Sequence, residues 1–184
     1  MKRLALLGVV VVGCVAIAGS AVFADAAANP NTIKIGLTRP QDGFARDTFS
    51  NVWLNVGYER VLRQMPDGTS DITAEVSWFQ DSVTAGGAKY TVRTIPILVN
   101  WRKHAANRGE ASTSFYYGAG AGLYLGRAHR GGSNPASNSE TRLGIAPFVG
   151  VEGQNWQAEL KYHITGDLAE LNMGGLAATV GYRF

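Results

Sequence analysis

The sequence has few of the residues from which most reactive centres are built. Among 184 residues there are one cysteine and three histidines. Cys14 lies inside an N-terminal apolar stretch, so removal of that stretch would leave no disulfide, no thiol nucleophile and no cysteine-ligated metal site. The histidines lack metal-ligand spacing, and the glycine-rich segment 118–122 is not followed by a helix that could bind phosphate. We therefore expect a protein that is not an enzyme and that has no cofactor.

An excess of one charge is also lacking. The chain has 17 basic and 14 acidic residues, a formal net charge of +3. Two of the basic residues, Lys2 and Arg3, belong to the N-terminal stretch, so the rest of the chain is close to neutral. The isoelectric point near 9.1 therefore does not indicate a nucleic-acid partner.

Long apolar runs are absent except at the N-terminus. A basic start, Met1-Lys2-Arg3, precedes an almost wholly apolar run that ends at Phe23. This order is typical of a cleaved secretory signal peptide, with a retained membrane helix or a lipoprotein modified at Cys14 as alternatives. No later run has the roughly 20 apolar residues of a spanning helix, so any other membrane insertion has to be as a closed barrel. The expected division is a signal peptide over 1–24 with cleavage near Ala24 or Ala26, a short linker over 25–31, and one domain over 32–184.

Alternation of apolar with other residues fills that domain. A strand points successive side chains to opposite faces, so strict alternation predicts a strand with one apolar face. In one segment the apolar residues change phase: Tyr90 and Val92 stand at even positions, whereas Ile95, Ile97, Val99 and Trp101 stand at odd ones. This change predicts a β-bulge near Arg93 and Thr94. The eight alternating segments are Ile33–Thr38, Val52–Glu59, Ile72–Phe79, Tyr90–Trp101, Phe115–Gly126, Leu143–Glu152, Trp156–Ile164 and Leu176–Phe184.

The connections between these segments alternate in kind. Those after the first, third, fifth and seventh segments are long and rich in Gly, Ser, Asn and Asp (39–50, 80–88, 127–141 and 165–174). Long loops on one side and mostly shorter turns on the other are typical of a membrane barrel, and an even strand number places both termini in the periplasm. The predicted fold is all-β, an eight-stranded antiparallel up-and-down transmembrane β-barrel.

Alternation alone also fits a soluble lipocalin-like barrel with its apolar face inside. Aromatic residues favour the membrane, because those in the apolar phase collect near strand ends, where amphipathic rings suit the headgroup zone. The other face is rich in Gly and Ala, which suits the crowded inside of a small barrel. The expected aromatic belt consists of Tyr58, Trp78, Trp101, Tyr117, Trp156, Tyr162, Tyr182 and Phe184, with Tyr90 as a further candidate.

The charges on the inner face are balanced in sign. Buried charges are tolerated when they are paired, so we expect an internal salt-bridge network, with ordinary exposed charges as the alternative. Four inward aromatics, Trp53, Phe79, Tyr124 and Phe148, either plug the lumen or line a narrow path. The expected network consists of Lys34, Glu59, Glu75, Arg93, Glu152, Glu159, Lys161 and Arg183.

The last segment carries the most specific motif. Leu176–Phe184 alternates without a break and finishes on Tyr182 and Phe184. Together with the pattern upstream, it resembles small eight-stranded bacterial outer-membrane β-barrels of the OmpA, OmpX and OmpW type. The resemblance implies that Tyr182 and Phe184 are an assembly signal for the barrel-assembly machinery. It also implies an outer-membrane location, with outer-membrane lipids and lipopolysaccharide as surroundings.

Three functions remain open from the sequence. The first is a structural or interaction scaffold that works through its extracellular loops. The second, implied by the OmpW resemblance, is a narrow channel or carrier for small apolar molecules. The third is a lipid A-modifying enzyme, although His163 points inward, away from the lipid-facing surface on which such enzymes act. Arg127, His129 and Arg130 form a basic cluster that could bind lipopolysaccharide phosphates or be solvated loop charge.

Overall fold

Strand pairing runs in chain order around a ring. The computed structural model describes residues 30–105, 113–132, 135–168 and 171–184. The expected signal peptide and most of the expected linker lie outside the described residues. Within the described ranges, eight antiparallel strands close a barrel, which confirms the predicted fold. The strands are β1 (Asn31–Pro40), β2 (Trp53–Gln64), β3 (Ser70–Ala85), β4 (Ala88–His104), β5 (Thr113–Arg130), β6 (Ala136–Gly153), β7 (Trp156–Thr165) and β8 (Gly175–Arg183).

The ring closes by pairing of the last strand with the first. β1 lies between β2 and β8, with Ile35 opposite Val56 on one side and Val180 on the other. Asn31 N donates a hydrogen bond to Phe184 O (3.2 Å), and Phe184 N donates one to Asn31 O (2.9 Å). This seam removes the free edges that an open sheet would present.

Apolar side chains face outward and polar ones face inward. On β1, Ile33, Ile35 and Leu37 are each more than half exposed, whereas Lys34 and Thr38 between them are buried. An exterior of this kind is typical of a barrel wall in contact with lipid. Polar side chains and several large aromatic ones occupy the inside. The interior of an eight-stranded barrel is just wide enough for side chains to fill it.

The strands are strongly tilted with respect to the barrel axis. The register shows the tilt when one steps from each residue to its partner on the next strand. A series that begins near the chain termini reaches the opposite end of the barrel at the last residue of β7. Its successive residues are Thr32, Glu59, Glu75, Leu98, Gly122, Gly144 and Thr165. Tilt and stagger are linked in a closed barrel, so inward side chains from distant strands reach the same height.

Two small elements cover the end of the barrel opposite the chain termini, called the far end below. They are the helix α1 (Gly43–Thr48) and a short ladder between Asp167–Leu168 and Leu171–Asn172. The Asp42 carboxylate accepts a hydrogen bond from the first turn of α1 (2.8 Å) and one from Asn172 N (3.2 Å), which ties the two connections together. In the described part of the chain, no helix is long and apolar enough to cross a membrane.

The bulge predicted in the fourth strand is wrong. β4 keeps one register against β3 on both sides of Pro96. Because Pro96 has no N–H to donate, the ladder of hydrogen bonds between β3 and β4 has only a gap there. The register shift lies instead in β2, between Val61 and Arg63. Tyr90 and Val92 therefore stand in the inward phase of β4, opposite to the prediction.

The strands β3 to β6 extend further toward the far end than predicted. Most of 80–88 and much of 127–141, both expected as loops, belong to two strand hairpins. Gly86 and Gly87 turn the first hairpin with φ values of 57° and 75°, a region that glycine adopts without steric cost. Polar composition concealed these extensions, because their outward side chains lack the apolar alternation on which the prediction depended.

Candidate functional site in the barrel interior and at its mouth

One lysine and three glutamates form the centre of a buried ionic cluster. Lys34 Nζ lies 2.8 Å from Glu59 Oε2, 2.8 Å from Glu75 Oε2 and 3.1 Å from Glu159 Oε1. The four side chains come from β1, β2, β3 and β7, and none is more than 4% exposed. Three carboxylate contacts use all three N–H donors of the ammonium group, so its charge is fully compensated.

Two further cations extend the cluster. Lys161 Nζ lies 2.5 Å from Glu75 Oε2 and 3.1 Å from Glu159 Oε1. Arg183 donates from Nη2 to Glu152 Oε2 at 2.5 Å and to Gln157 Oε1 at 3.2 Å. The structure thus places seven of the eight charged residues expected inside, all except Arg93, in the barrel interior.

Arg102, which joins these two groups, was missed by the sequence reasoning. Its fully buried side chain forms an ion pair with Glu59 and lies 3.8 Å from Glu152 and 3.9 Å from Glu159. Its guanidinium carbon stands 4.4 Å from the ring centroid of Tyr116, a cation–π contact. The predicted strand ended at Trp101, three residues before the end of β4, and its next position along the inward phase is Arg102.

His104 completes the cluster near the chain termini. Its Nε2 lies 2.9 Å from Asp71 Oδ2 and its Nδ1 lies 3.1 Å from Glu152 Oε1. Both ring nitrogens thus face carboxylate oxygens, and the contact of Nε2 with Asp71 is the one that has hydrogen-bond geometry. Among the described residues, the ionic cluster contains five acids and five basic side chains: Glu59, Glu75, Asp71, Glu152 and Glu159 with Lys34, Arg102, His104, Lys161 and Arg183.

Arg93 is not part of the ionic cluster. It stands in the outward phase of β4, in register with Gln80 of β3 and with Arg127 of β5. The expectation that it faces inward followed from the misplaced bulge and is wrong. Among the described residues, neither arginine forms an ion pair with a carboxylate.

Large apolar side chains fill the interior toward the far end. Trp53, Phe79 and Tyr124 are almost completely buried and pack with Ala45 of α1 and Met173 of the last connection. Because Ala45 and Met173 belong to connections at the far end, this apolar plug lies directly beneath it. The lower interior is therefore ionic, and the upper interior is apolar.

Phe148, the fourth inward aromatic, belongs to the ionic region. Lys161 Nζ lies 4.8 Å from its ring centroid. His163 lies against the plug, with Nδ1 3.0 Å from the Tyr124 hydroxyl and its ring 5.4 Å from that of Phe79. These contacts make His163 part of the interior packing. No group of His, Cys, Asp and Glu among the described residues has the arrangement of a metal site.

The aromatic residues of the outer face project from the barrel wall. Tyr58 is partly buried, and its hydroxyl donates to Asn31 Oδ1 at 2.7 Å. Near the termini the rings of Tyr182 and Phe184 stack with centroids 6.5 Å apart. Tyr90 lies in the inward phase and is not part of this set. The remaining seven residues are 37% to 61% exposed: Trp78, Trp101, Tyr117, Trp156, Tyr162, Tyr182 and Phe184.

A cleft of about 750 Å³ opens at the far end, between α1 and the extended strands β3 to β6. We call it the mouth cleft. Phe44, Phe49, Val83, Val92 and Ala128 supply the apolar part of its lining. Its floor is the apolar plug, against which Phe49 and Ala128 pack. The cleft is therefore a blind depression above a filled interior.

The sequence matches no protein-family model and no curated protein. Its fold is similar to that of Neisserial surface protein A, with a TM-score of 0.60 and 14% identity over 87% of this chain and 99% of that one. It is also similar to Ail, the attachment invasion locus protein of Yersinia pestis, solved in complex with the heparin analogue sucrose octasulfate. For Ail the TM-score is 0.53, with 14% identity over 85% of this chain and 99% of that one. The chain thus has the fold of eight-stranded outer-membrane barrels of the OmpA/OmpX-like kind.

Proposed function

We propose that this chain is an outer-membrane protein whose barrel is a closed scaffold and whose far end makes contacts outside the cell. The signal peptide over 1–24 directs export, and the barrel over 32–184 crosses the outer membrane with both termini in the periplasm. The apolar outer wall and its exposed aromatic residues support this orientation in lipid. The observation that carries the proposal is the filled interior.

Two different layers obstruct the lumen. The ionic cluster links side chains from several strands across the lower interior, and paired buried charges of this kind hold a structure rigid. Above it, Trp53, Phe79 and Tyr124 are packed without exposure to solvent. A transport path would have to break both layers, and the mouth cleft ends on the plug, so the scaffold is better supported than the channel or carrier.

Gel mobility, cell fractionation and conductance together test this proposal. Protein from isolated outer membranes should migrate differently in detergent gels before and after boiling, because a folded barrel resists detergent until heated. In planar bilayers the same preparation should give no steady conductance. A freely soluble periplasmic product would refute the membrane location, and a steady conductance would refute the closed scaffold.

The outer wall supports contact with lipopolysaccharide beyond the apolar zone. Arg93 and Arg127 face outward side by side, and each lies two residues closer to the far end than an outward apolar residue, Ile95 on β4 and Leu125 on β5. Like charges directly opposite each other on neighbouring strands are destabilising. A lipid phosphate between the two guanidinium groups would remove that repulsion. We therefore assign this pair to the phosphate layer of the outer leaflet.

Replacement of both arginines tests the lipid contact. An Arg93→Gln, Arg127→Gln variant should lose part of the thermal stabilisation that lipopolysaccharide gives to the wild-type barrel. Arg142→Gln is the matched control, because Arg142 forms an ion pair with Glu140 and is half exposed. Lipopolysaccharide without lipid A phosphates should stabilise wild type and double variant equally. An unchanged stabilisation of the double variant by intact lipopolysaccharide would contradict the assignment.

A further inference from the structure

We propose that the mouth cleft binds an amphipathic anion, a small molecule with an apolar body and a single acidic head. The inference adds a ligand site to the scaffold, and it rests on the proposed function only for its location outside the cell. Three features support it: the size and floor of the cleft, its exposed aromatic wall, and the charge at its rim.

The dimensions of the cleft match a small-molecule site. Its volume of about 750 Å³ lies within the roughly 300–1,000 Å³ that is typical of ligand pockets. One wall is α1, a helix held in place by its Asp42 cap, and the other is formed by the paired strands β3 to β6. The floor is the apolar plug, so a molecule that enters is retained and not passed on.

The wall formed by the first connection leaves apolar surface exposed. Phe44 on α1 lines the cleft and is 66% exposed. Phe49 lies at the end of the same helix, and the partly exposed Val83 lines the cleft from β3. A ligand with an apolar body would remove this surface from water, which is the main driving force for such binding. A wholly polar ligand would leave the wall exposed.

Within the described lining of the cleft, an arginine supplies positive charge at the rim. Arg130 lines the cleft with its guanidinium 5.7 Å from the ring centroid of Tyr90, a contact that orients the planar group. His129 precedes it in the lining. Among the described residues, neither forms an ion pair with a carboxylate.

The acid in the described lining, Asp42, is already engaged. It accepts hydrogen bonds from the main chains of Ala45 (2.8 Å) and Asn172 (3.2 Å). Both carboxylate oxygens of Asp42 thus face main-chain donors, and the guanidinium of Arg130 is the charged group in the described lining that is left for a ligand to contact. An oriented guanidinium presents paired donors that match a carboxylate, so an acidic head is preferred to a basic one.

The inference is tested with short-chain probes on the full-length barrel in lipid nanodiscs. Octanoate, octylammonium and octanol share one apolar body and differ in the charge of the head group. Calorimetric titration against the barrel, with empty nanodiscs subtracted, should show saturable binding of octanoate at least tenfold tighter than that of octylammonium. Uptake of octanoate equal to that of empty nanodiscs would overturn the proposal, as would equal affinity for the two ions.

Two variants and one control locate the site. Arg130→Gln should weaken octanoate binding at least tenfold and leave octanol binding unchanged, whereas Phe44→Ser should weaken both. Lys89→Gln is the control. It removes one positive charge from the hairpin between β3 and β4, at a residue outside the described lining of the cleft, and should change neither octanoate nor octanol binding. Equal effects of Arg130→Gln and Lys89→Gln would refute a specific rim.

The shift in gel mobility on heating shows that each variant is folded, which separates lost binding from a lost barrel. Conductance of the wild type would refute the closed scaffold without affecting the octanoate result. Absence of conductance in bilayers together with no octanoate binding would refute the ligand site but would agree with the closed scaffold.

Discussion

Replacement of Lys34 by methionine tests how strongly the ionic cluster holds the barrel together. Methionine keeps most of the apolar stem but removes the ammonium group from Glu59, Glu75 and Glu159, which lie 2.8, 2.8 and 3.1 Å from it. Removal of one partner from a buried ion pair costs about 3–5 kcal/mol, because the other charge stays buried. Since Lys161 and Arg102 still contact these glutamates, we expect a loss of about 3 kcal/mol in the free energy of unfolding.

Urea titration of the barrel in lipid vesicles, followed by tryptophan fluorescence, measures this loss. Lys103→Met is the control, because Lys103 Nζ lies 2.8 Å from Asp67 Oδ2 and both side chains are partly exposed. Exposed pairs contribute about 0–1 kcal/mol. The same hydrogen bond from Lys103 holds the pKa of Asp67 below its usual range, so the control should raise that pKa.

The two lysine variants therefore have to differ. Equal losses for Lys34→Met and Lys103→Met would show that the buried contacts add nothing beyond a surface pair. A second test is the double variant Lys34→Met, Glu59→Gln, which removes one charge of each sign. It should recover part of the lost stability, because fewer uncompensated carboxylates remain buried. No recovery would refute the electrostatic explanation.

Two further predictions concern assembly and packing. Phe184→Ala should lower the amount of barrel in the outer membrane, whereas Phe115→Ala, equally exposed at 48%, should leave it unchanged if the role is an assembly signal. Quantitative immunoblots of membrane fractions measure both. Gly122→Ala should cost about 1–3 kcal/mol in urea titration, because its Cβ would lie 2.0 Å from a main-chain oxygen of β4. Gly166→Ala, with nothing within 4 Å, should be nearly neutral.

At the far end of β4, the alternation of apolar residues no longer identifies the outer face of the strand. Alternation assigned the inner and outer faces correctly wherever the outside is apolar, as it is along β1 and β8. On the proposed orientation, the wall then leaves the lipid and water contacts its outer face. The apolar side chains there, Tyr90 and Val92, belong to the mouth cleft, and Arg93 points outward. The apolar residues of β4 thus change from the outer to the inner face without a bulge. The prediction assumed that they stay on one face along the whole strand, and it therefore required a bulge.

Partners within the ionic cluster could not be predicted for a different reason. Alternation shows that Lys34 and Glu159 face inward, but they lie on β1 and β7, which are separated by β8 around the ring. Whether they reach the same height depends on strand tilt and stagger, which the pattern of each strand does not contain. The sequence therefore indicates most of the enclosed charges, although it misses Asp71, Arg102 and His104, whereas the pairing becomes visible only once the ring is closed.

The seam between β1 and β8 has a kinetic consequence. Its hydrogen bonds join Asn31 to Phe184, so contact across the whole domain is the step that completes the ring. Contacts of such long sequence separation form slowly, and until they form, both terminal strands are open to pairing with other chains. Delay between export and insertion should therefore favour aggregation, and the time this chain spends before closure should limit its yield.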